Sequence, residues 1–307
     1  TGNFVIQSAG RILAVIIGLI SIGILTRVLG TNAFGEYTTA MTFLQLFGVI
    51  VDFGLTLTLV VMISKQGANE EKIVGNFFSL RLISGALLFS IAPITILALP
   101  WSETVQTGVL IGAFAYLIMA LATMLVGIFQ KHKSMWRVAV AELLNRIVLL
   151  GFIVAFAYMN LGVLAMISAS IFANLAWLMA MIWLARTFVQ IKPQFDFSVW
   201  KNALMISWPI ALSILFNLLY LKGDILFLAY FRDATEVGLY GVAYKVLDGL
   251  TAIPVMFMGL MLPSLVADWS AKRKAQFTNH LCKSFNIFMV MVIPVVAGAQ
   301  LVSTDLI

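Results

Sequence analysis

The sequence predicts an all-α polytopic membrane protein, and three observations carry that prediction. Of the 307 residues, 62% are hydrophobic and only 10% charged, where a soluble domain of this length carries about 25% charged residues. Apolar runs recur from end to end, and a run of about twenty residues crosses a hydrocarbon core of roughly 30 Å as a helix. The breaks between runs are short, none beyond about fifteen residues, so no extramembrane domain is expected.

Nine spans follow in order. The first, about 3–29, ends at "LGTNAFG"; the second, 35–63, ends at "SKQGANEEK"; the third, 73–99, ends at "ALPWSET". The fourth, 104–130, precedes "QKHKSMW", and the fifth and sixth cover 137–159 and 161–186. The seventh, 201–231, closes on "FRDATEVG", before an eighth at 235–266 and a ninth at 281–305. Gly, Pro, Asn, Asp and Ser in these breaks are the residues that turn a chain. The first span is too long, and its start too poor in charge, for a cleavable leader. A chain that opens without Met and stops on the heels of a span reads as part of a longer protein.

The net charge of +6 suggests nucleic acid only until the charges are placed. Alternate breaks hold Lys65 and Lys72; Lys131, Lys133 and Arg137; Arg186, Lys192 and Lys201; and Lys272, Arg273, Lys274 and Lys283, twelve of the nineteen basic residues. The opposite breaks hold Arg27 and Arg232 beside Glu36, Glu103, Asp233 and Glu236. The positive-inside rule puts the basic side and the N-terminus in the cytoplasm, so no nucleic-acid partner is expected. Trp101, Trp136, Trp200 and Trp269 fall at span ends, as an interfacial aromatic belt does. The single Cys282 excludes an internal disulfide framework, and His132 and His280 stand too far apart in sequence for a metal pair. No metal or cofactor is expected.

Residues 34–44, "FGEYTTAMTFL", are echoed by residues 237–247, "VGLYGVAYKVL". An offset of 203 aligns Gly35 with Gly238, Tyr37 with Tyr240 and Ala40 with Ala243, and also Asn76 with Asn279. The copies lie six spans apart and therefore point the same way in the membrane. Parallel repeats of this kind are a transporter plan with the substrate site between the halves. The chain accordingly divides into an N-terminal six-helix bundle, 1–190, and a C-terminal bundle, 191–307, holding helices 7–9 only.

The stretch "GRILAVIIGLISIGILTRVLGTNAFGEYTTAMTFLQLFGVIVDFGL", residues 10–55, resembles the start of bacterial Wzx-type polysaccharide flippases. These belong, with the MurJ lipid II flippases and the MATE exporters, to the MOP superfamily. The resemblance is carried by Arg11, then Arg27, Leu29, Gly30, Phe34, Gly35 and Tyr37, then Asp52, Gly54 and Leu55. "GDILFLAYFRDATEVGLYGVAYKVLDG" is similar to that family's aspartate-containing helix 7 and its turn into helix 8. The resemblance implies a MATE-like fold of two parallel repeats of about six helices, the second incomplete here. It also implies transport of undecaprenyl-diphosphate-linked oligosaccharide across the bacterial inner membrane, with polysaccharide-assembly proteins as candidate partners besides membrane lipid.

Nine charges fall inside spans: Arg11, Arg81, Arg146, Lys222 and Lys245, and Asp52, Glu142, Asp224 and Asp248. A charge at the bilayer centre costs about 2.5–3.5 kcal/mol on the insertion scale, so each should face a polar interior. Glu142 with Arg146, at i,i+4, and Lys245 with Asp248, at i,i+3, can pair on one helix face. Arg11, Arg81 and Asp52 have no opposite charge at helical spacing. The three arginines lie roughly 12–14 Å deep at 1.5 Å per residue, and the two lysines near mid-membrane. The expectation is a cationic cavity of Arg11, Arg81, Arg146, Lys222 and Lys245 that holds an anionic head group, arginine as a fork and lysine as a point charge. Asp52, Asp224 and Glu142 are candidates for coupling to H⁺ or Na⁺. Pro209, Pro254 and Pro263 are candidate hinges.

Three other functions compete. A MATE-type exporter of cationic drugs should offer an acidic interior, and five bases against four acids argue against it. A lipid II flippase carries the same diphosphate chemistry and stays open. A membrane enzyme needs groups beside the outer surface, where these breaks are too short for an active site, so no enzymatic activity is expected.

Overall fold

The computed structural model of the chain describes residues 2–65, 67–245, 268 and 273–306, with side chains described from residue 10 onward except positions 11, 12, 218, 291 and 295–306. The described elements are helical: α1 (Gly2–Asp52), α2 (Leu55–Ile63), α3 (Glu70–Ile96), α4 (Glu103–Lys131), α5 (Met135–Tyr158), α6 (Val163–Ala185) and α7 (Phe197–Phe231). An eighth helix, α8, starts at 234 and is described to 245, and α9 is Lys274–Leu306. Asp248, Pro254, Pro263, Trp269 and Lys272, and the side chain of Arg11, lie outside the described residues.

Six of these helices are long and apolar enough to cross a membrane, the first of them running Leu13–Ile63. A continuous helix of the 51 residues of α1 would measure about 75 Å, more than twice the hydrocarbon core. Gly30, with φ 70° and ψ 175°, breaks it where the sequence predicts the first turn. A second break is new: Phe53 (φ 44°) and Gly54 (φ 68°) take left-handed conformations and divide the expected 35–63 span into the end of α1 and the short α2.

Several helix starts follow from local chemistry. The Asn69 side chain accepts from the Lys72 N–H at 3.0 Å, with Glu70 and Glu71 in the first turn of α3. The Ser102 side chain accepts from the Val105 N–H at 3.3 Å ahead of Glu103 in α4. Both arrangements satisfy N–H groups that a helix start leaves open and set negative charge at its positive end.

The molecule divides into two compact units, Thr1–Gly238 and Leu239–Ile307. Helix α7 packs against α1, α2 and α3 and belongs to the first of these units. That unit has two apolar cores. One gathers Leu59, Ile63, Phe77, Leu125, Ile128 and Met181, and the other Ala40, Leu44, Phe89, Val109 and Ile167. Ile94, Leu97 and Trp183 stay about two-thirds exposed, as lipid-facing side chains do. In the second unit Asp268 pairs with His280 at 2.6 Å and with Arg273 at 3.3 Å.

Two belt tryptophans turn their indole N–H inward. Trp101 donates to the Ala229 carbonyl at 2.8 Å, and Trp200 donates to the Asn76 carbonyl at 3.1 Å. Asn76, fully buried, also takes the Asp196 N–H on its side-chain oxygen at 2.6 Å. The α6–α7 connection is thereby fastened to α3, where the Gln194 N–H donates to the Gly75 carbonyl at 3.2 Å.

An ion pair closes the same clamp, with Lys72 Nζ 2.7 Å from Asp196. The Lys72 hydrogen bond, and then the Ser198 N–H, hold the Asp196 carboxyl below its ordinary range. A carboxyl depressed in the folded state stabilises above its unfolded pKa, and that contribution is lost as pH falls through the folded value. The pair is exposed, so the effect is small. Thermal midpoints of the wild type and Lys72→Gln should differ at neutral pH and converge in acid below the carboxylate range. A difference that is constant with pH would deny the pairing.

Candidate functional site

The "D-x-G-L" stretch of Asp52, Gly54 and Leu55 is the joint between α1 and α2. With α1 stopped at the left-handed Phe53 and Gly54, the last carbonyls and the Asp52 carboxylate are left to find partners. Arg81 of α3 supplies them. Its Nη2 bonds Asp52 Oδ1, which also accepts from the Thr56 hydroxyl at 2.7 Å. Its Nη1 donates to the Val51 carbonyl at 2.7 Å, and its Nε reaches the Ala120 carbonyl on α4 at 3.2 Å. One guanidinium thus ties α1, α3 and α4 together.

This geometry brings together two of the expected site residues, Arg81 and Asp52. They find each other across 29 residues of sequence, a pairing that helical spacing cannot reveal. Arg81 is 1% exposed, so in this conformation it presents no surface to a cavity, and Asp52 is engaged by it. Gly54 then brings the joint against α7: a methyl there would lie 3.0 Å from Ile210 and 3.1 Å from the Ser207 carbonyl.

The other expected residues are placed differently. Arg146 is exposed on α5, with Glu142 half-buried one turn before it. Lys222 and Asp224 are half-buried on α7, and Asp224 accepts the Ile225 N–H at 2.9 Å. Lys245 is half-buried on α8, in the second unit. Among the described residues no three His, Cys, Asp or Glu side chains gather as metal ligands would.

Residues 1–267 match the protein family described as "Polysaccharide biosynthesis protein". The chain belongs to that family. No curated protein matches it. Its fold is similar to that of the MATE multidrug transporter DinF-BH in a ligand complex, with a TM-score of 0.67 and 14% identity over 98% of this chain and 73% of that one. It is similar as well to an inward-facing MATE family transporter of the MOP superfamily (TM-score 0.67, 15% identity, 98% and 71% covered). An outward-facing MATE family transporter of that superfamily matches at a TM-score of 0.61, with 14% identity and 99% and 72% covered.

This member of the polysaccharide biosynthesis family also holds a partly buried polar strip that charge counting misses. The Asn145 amide donates to Asn174 at 3.1 Å, and the Asn174 amide donates to the Ala115 carbonyl at 2.9 Å. The Tyr116 hydroxyl donates to the Met41 carbonyl at 3.1 Å. The buried hydroxyl of Thr38 has no protein partner. Asn145 directly precedes the exposed Arg146, so a run of amides and hydroxyls on α4, α5 and α6 adjoins a cation on the surface of α5. Such a set can meet phosphate oxygens with charge and sugar hydroxyls with neutral partners. The readable signal was the pair of asparagines inside apolar spans, where polar side chains bond across helices.

Proposed function

We propose that this protein is a flippase for polyprenyl-diphosphate-linked oligosaccharide, working by alternating access. The observation that carries this reading is membership of the polysaccharide biosynthesis family on a MATE transporter fold. The head group is an anionic diphosphate with sugars, and the tail is apolar enough to remain in lipid. Arg146, Lys222, Lys245 and Arg11 supply the positive charge that receives the diphosphate. Arg81 contributes as the residue that positions the α1–α2 joint. Glu142 and Asp224 remain the candidates for coupling to H⁺ or Na⁺. No covalent chemistry is required of the protein, and no enzymatic role is proposed.

Orientation belongs to the same reading: the N-terminus and the basic connections face the cytoplasm of a bacterial inner membrane. Cross-links among the breaks support this alternation. The basic breaks meet one another through Lys72 with Asp196 at 2.7 Å and Lys131 and His132 with Glu70 at 2.5 and 3.0 Å. The opposite breaks meet through the Ser102 hydroxyl and Glu36 at 2.6 Å.

Transport by the full-length protein in liposomes, read with a fluorescent polyprenyl-diphosphate oligosaccharide and a membrane-impermeant quencher, tests the proposal. Lys222→Gln and Arg146→Gln should each slow movement by about tenfold or more, the equivalent of about 1.4 kcal/mol, with thermal midpoints held near the wild type. Undiminished transport in both variants would remove the cationic path from the account.

A further inference from the structure

Gly35 of α1 and Gly238 of α8 lie backbone to backbone within the first unit. A methyl built on Gly35 would overlap the Ala234 carbonyl oxygen and sit 2.9 Å from the Gly238 nitrogen. A methyl built on Gly238 would overlap the Thr31 carbonyl oxygen and sit 3.1 Å from the Gly35 nitrogen. Each description turns into the other through the 203-residue offset that aligns the sequence repeat, Thr31 with Ala234 and Gly35 with Gly238. The contact is reciprocal, like the self-complementary face of a two-fold dimer. Both strands of it read small-x-x-x-small, Thr31 to Gly35 and Ala234 to Gly238, the spacing that lets helix backbones approach.

Its surroundings are tied in the same place. Phe34 and Val237, which precede the two glycines, are each 1% exposed. Glu36, next to Gly35, takes the Ser102 hydroxyl at 2.6 Å. The adjacent Trp101 bonds Ala229 near the end of α7 at 2.8 Å. The two helices therefore meet at one end of the unit through main-chain atoms, with no side chain interposed.

We propose that the Gly35–Gly238 crossing is the closure of the outward end of the path, a seam between the repeats that parts when the protein opens outward. The proposal deepens the transport reading given above and rests on its orientation. A main-chain seam fits such a closure because it excludes water while shut, and the side-chain bond beside it that parting would break is the one from Trp101 to the Ala229 carbonyl. It also lies at the end of the helices, where rocking about a mid-membrane site gives the largest displacement. Gly rather than Ala is required at both positions, since either methyl would strike a carbonyl of the other repeat.

The test uses the full-length protein with Cys282, which is exposed, replaced by Ser, and spin labels on cysteines introduced at the exposed Asn32 and Asp233 that flank the seam. Pulsed electron–electron resonance in liposomes should give a short and a long distance population in the otherwise wild-type protein. Gly35→Ala and Gly238→Ala should each raise the long share by about fivefold or more. Gly112→Ala, whose methyl would meet only the Leu44 and Ile167 side chains within the first bundle, should leave the distribution unchanged. A single short population in all proteins would overturn the proposal and make the crossing a fixed pivot. If the glycine variants do not accumulate, the otherwise wild-type distribution decides alone, two populations supporting the seam and one overturning it. Two populations in a protein that moves no lipid-linked oligosaccharide would keep the seam and sink the substrate reading, so the two failures are distinguishable.

Discussion

Arg81→Ala should cost the folded protein about 3–5 kcal/mol, the loss measured when one partner of a buried ion pair is removed. The Asp52 carboxylate would lose its cation, and the Val51 and Ala120 carbonyls their donors, at the joint of three helices. Lysine cannot rescue this, because a single ammonium cannot span the positions that the planar guanidinium reaches. Asp52→Asn should be milder, since its oxygen still accepts from Arg81 and Thr56 while the charge is lost. Thermal unfolding in detergent and the yield of folded protein check this order: wild type, then Asp52→Asn, then Arg81→Lys, then Arg81→Ala. An Arg81→Ala protein that melts like the wild type but no longer transports would return Arg81 to the substrate path and contradict its role as a tie.

Gly54→Ala should be the second most damaging change, and Gly67→Ala isolates the reason. Both glycines have positive φ, 68° and 76°. Alanine in that region costs roughly 1–2 kcal/mol at either position. At Gly67 nothing lies within 4 Å of the added methyl, whereas at Gly54 it meets Ile210 at 3.0 Å and the Ser207 carbonyl at 3.1 Å. Overpacking adds typically 1–3 kcal/mol, so Gly54→Ala should lose about 2–5 kcal/mol in all and Gly67→Ala only the backbone share. Thermal midpoints of the two variants, measured side by side, read the difference as the value of the joint's contact with α7. Equal losses would mean that α7 yields freely and that the joint does not position it.

These two residues show what the sequence could and could not disclose. Asp52, Gly54 and Leu55 stood out as a pattern, but one apolar run over 35–63 gave no sign of a break, because hydropathy does not register a left-handed turn. Arg81 was visible as an expensive intramembrane charge. Its partner was not, since periodicity compares residues within a helix and Asp52 lies on another. The offset of 203 built on Gly35, Tyr37 and Ala40 also relates Thr31 to Ala234, and these two pairs meet in a main-chain contact. In the sequence Asn76 stands out only as an echo of Asn279, and its hold on the α6–α7 connection depends on tertiary partners at Asp196 and Trp200. The hydrogen bonds of Tyr116, Asn145 and Asn174 are hard to read from sequence because uncharged polar residues are a weak signal beside nine intramembrane charges.

The division of labour among those charges follows from burial. Arg81, 1% exposed and enclosed by protein acceptors, shapes the first unit. Arg146 and Lys222 retain accessible surface, which is what a residue needs to meet a passing head group. The tie explains why one arginine is fixed, and under the proposed function the polar strip near Arg146 would offer the head group neutral partners.

The most direct test of the central claim is native mass spectrometry of the full-length protein purified from its own membranes. The account predicts a co-purified polyprenyl-diphosphate oligosaccharide that is lost from Arg146→Gln and Lys222→Gln while the protein stays folded. An empty protein that binds organic cations instead would contradict it and make these basic residues part of the scaffold.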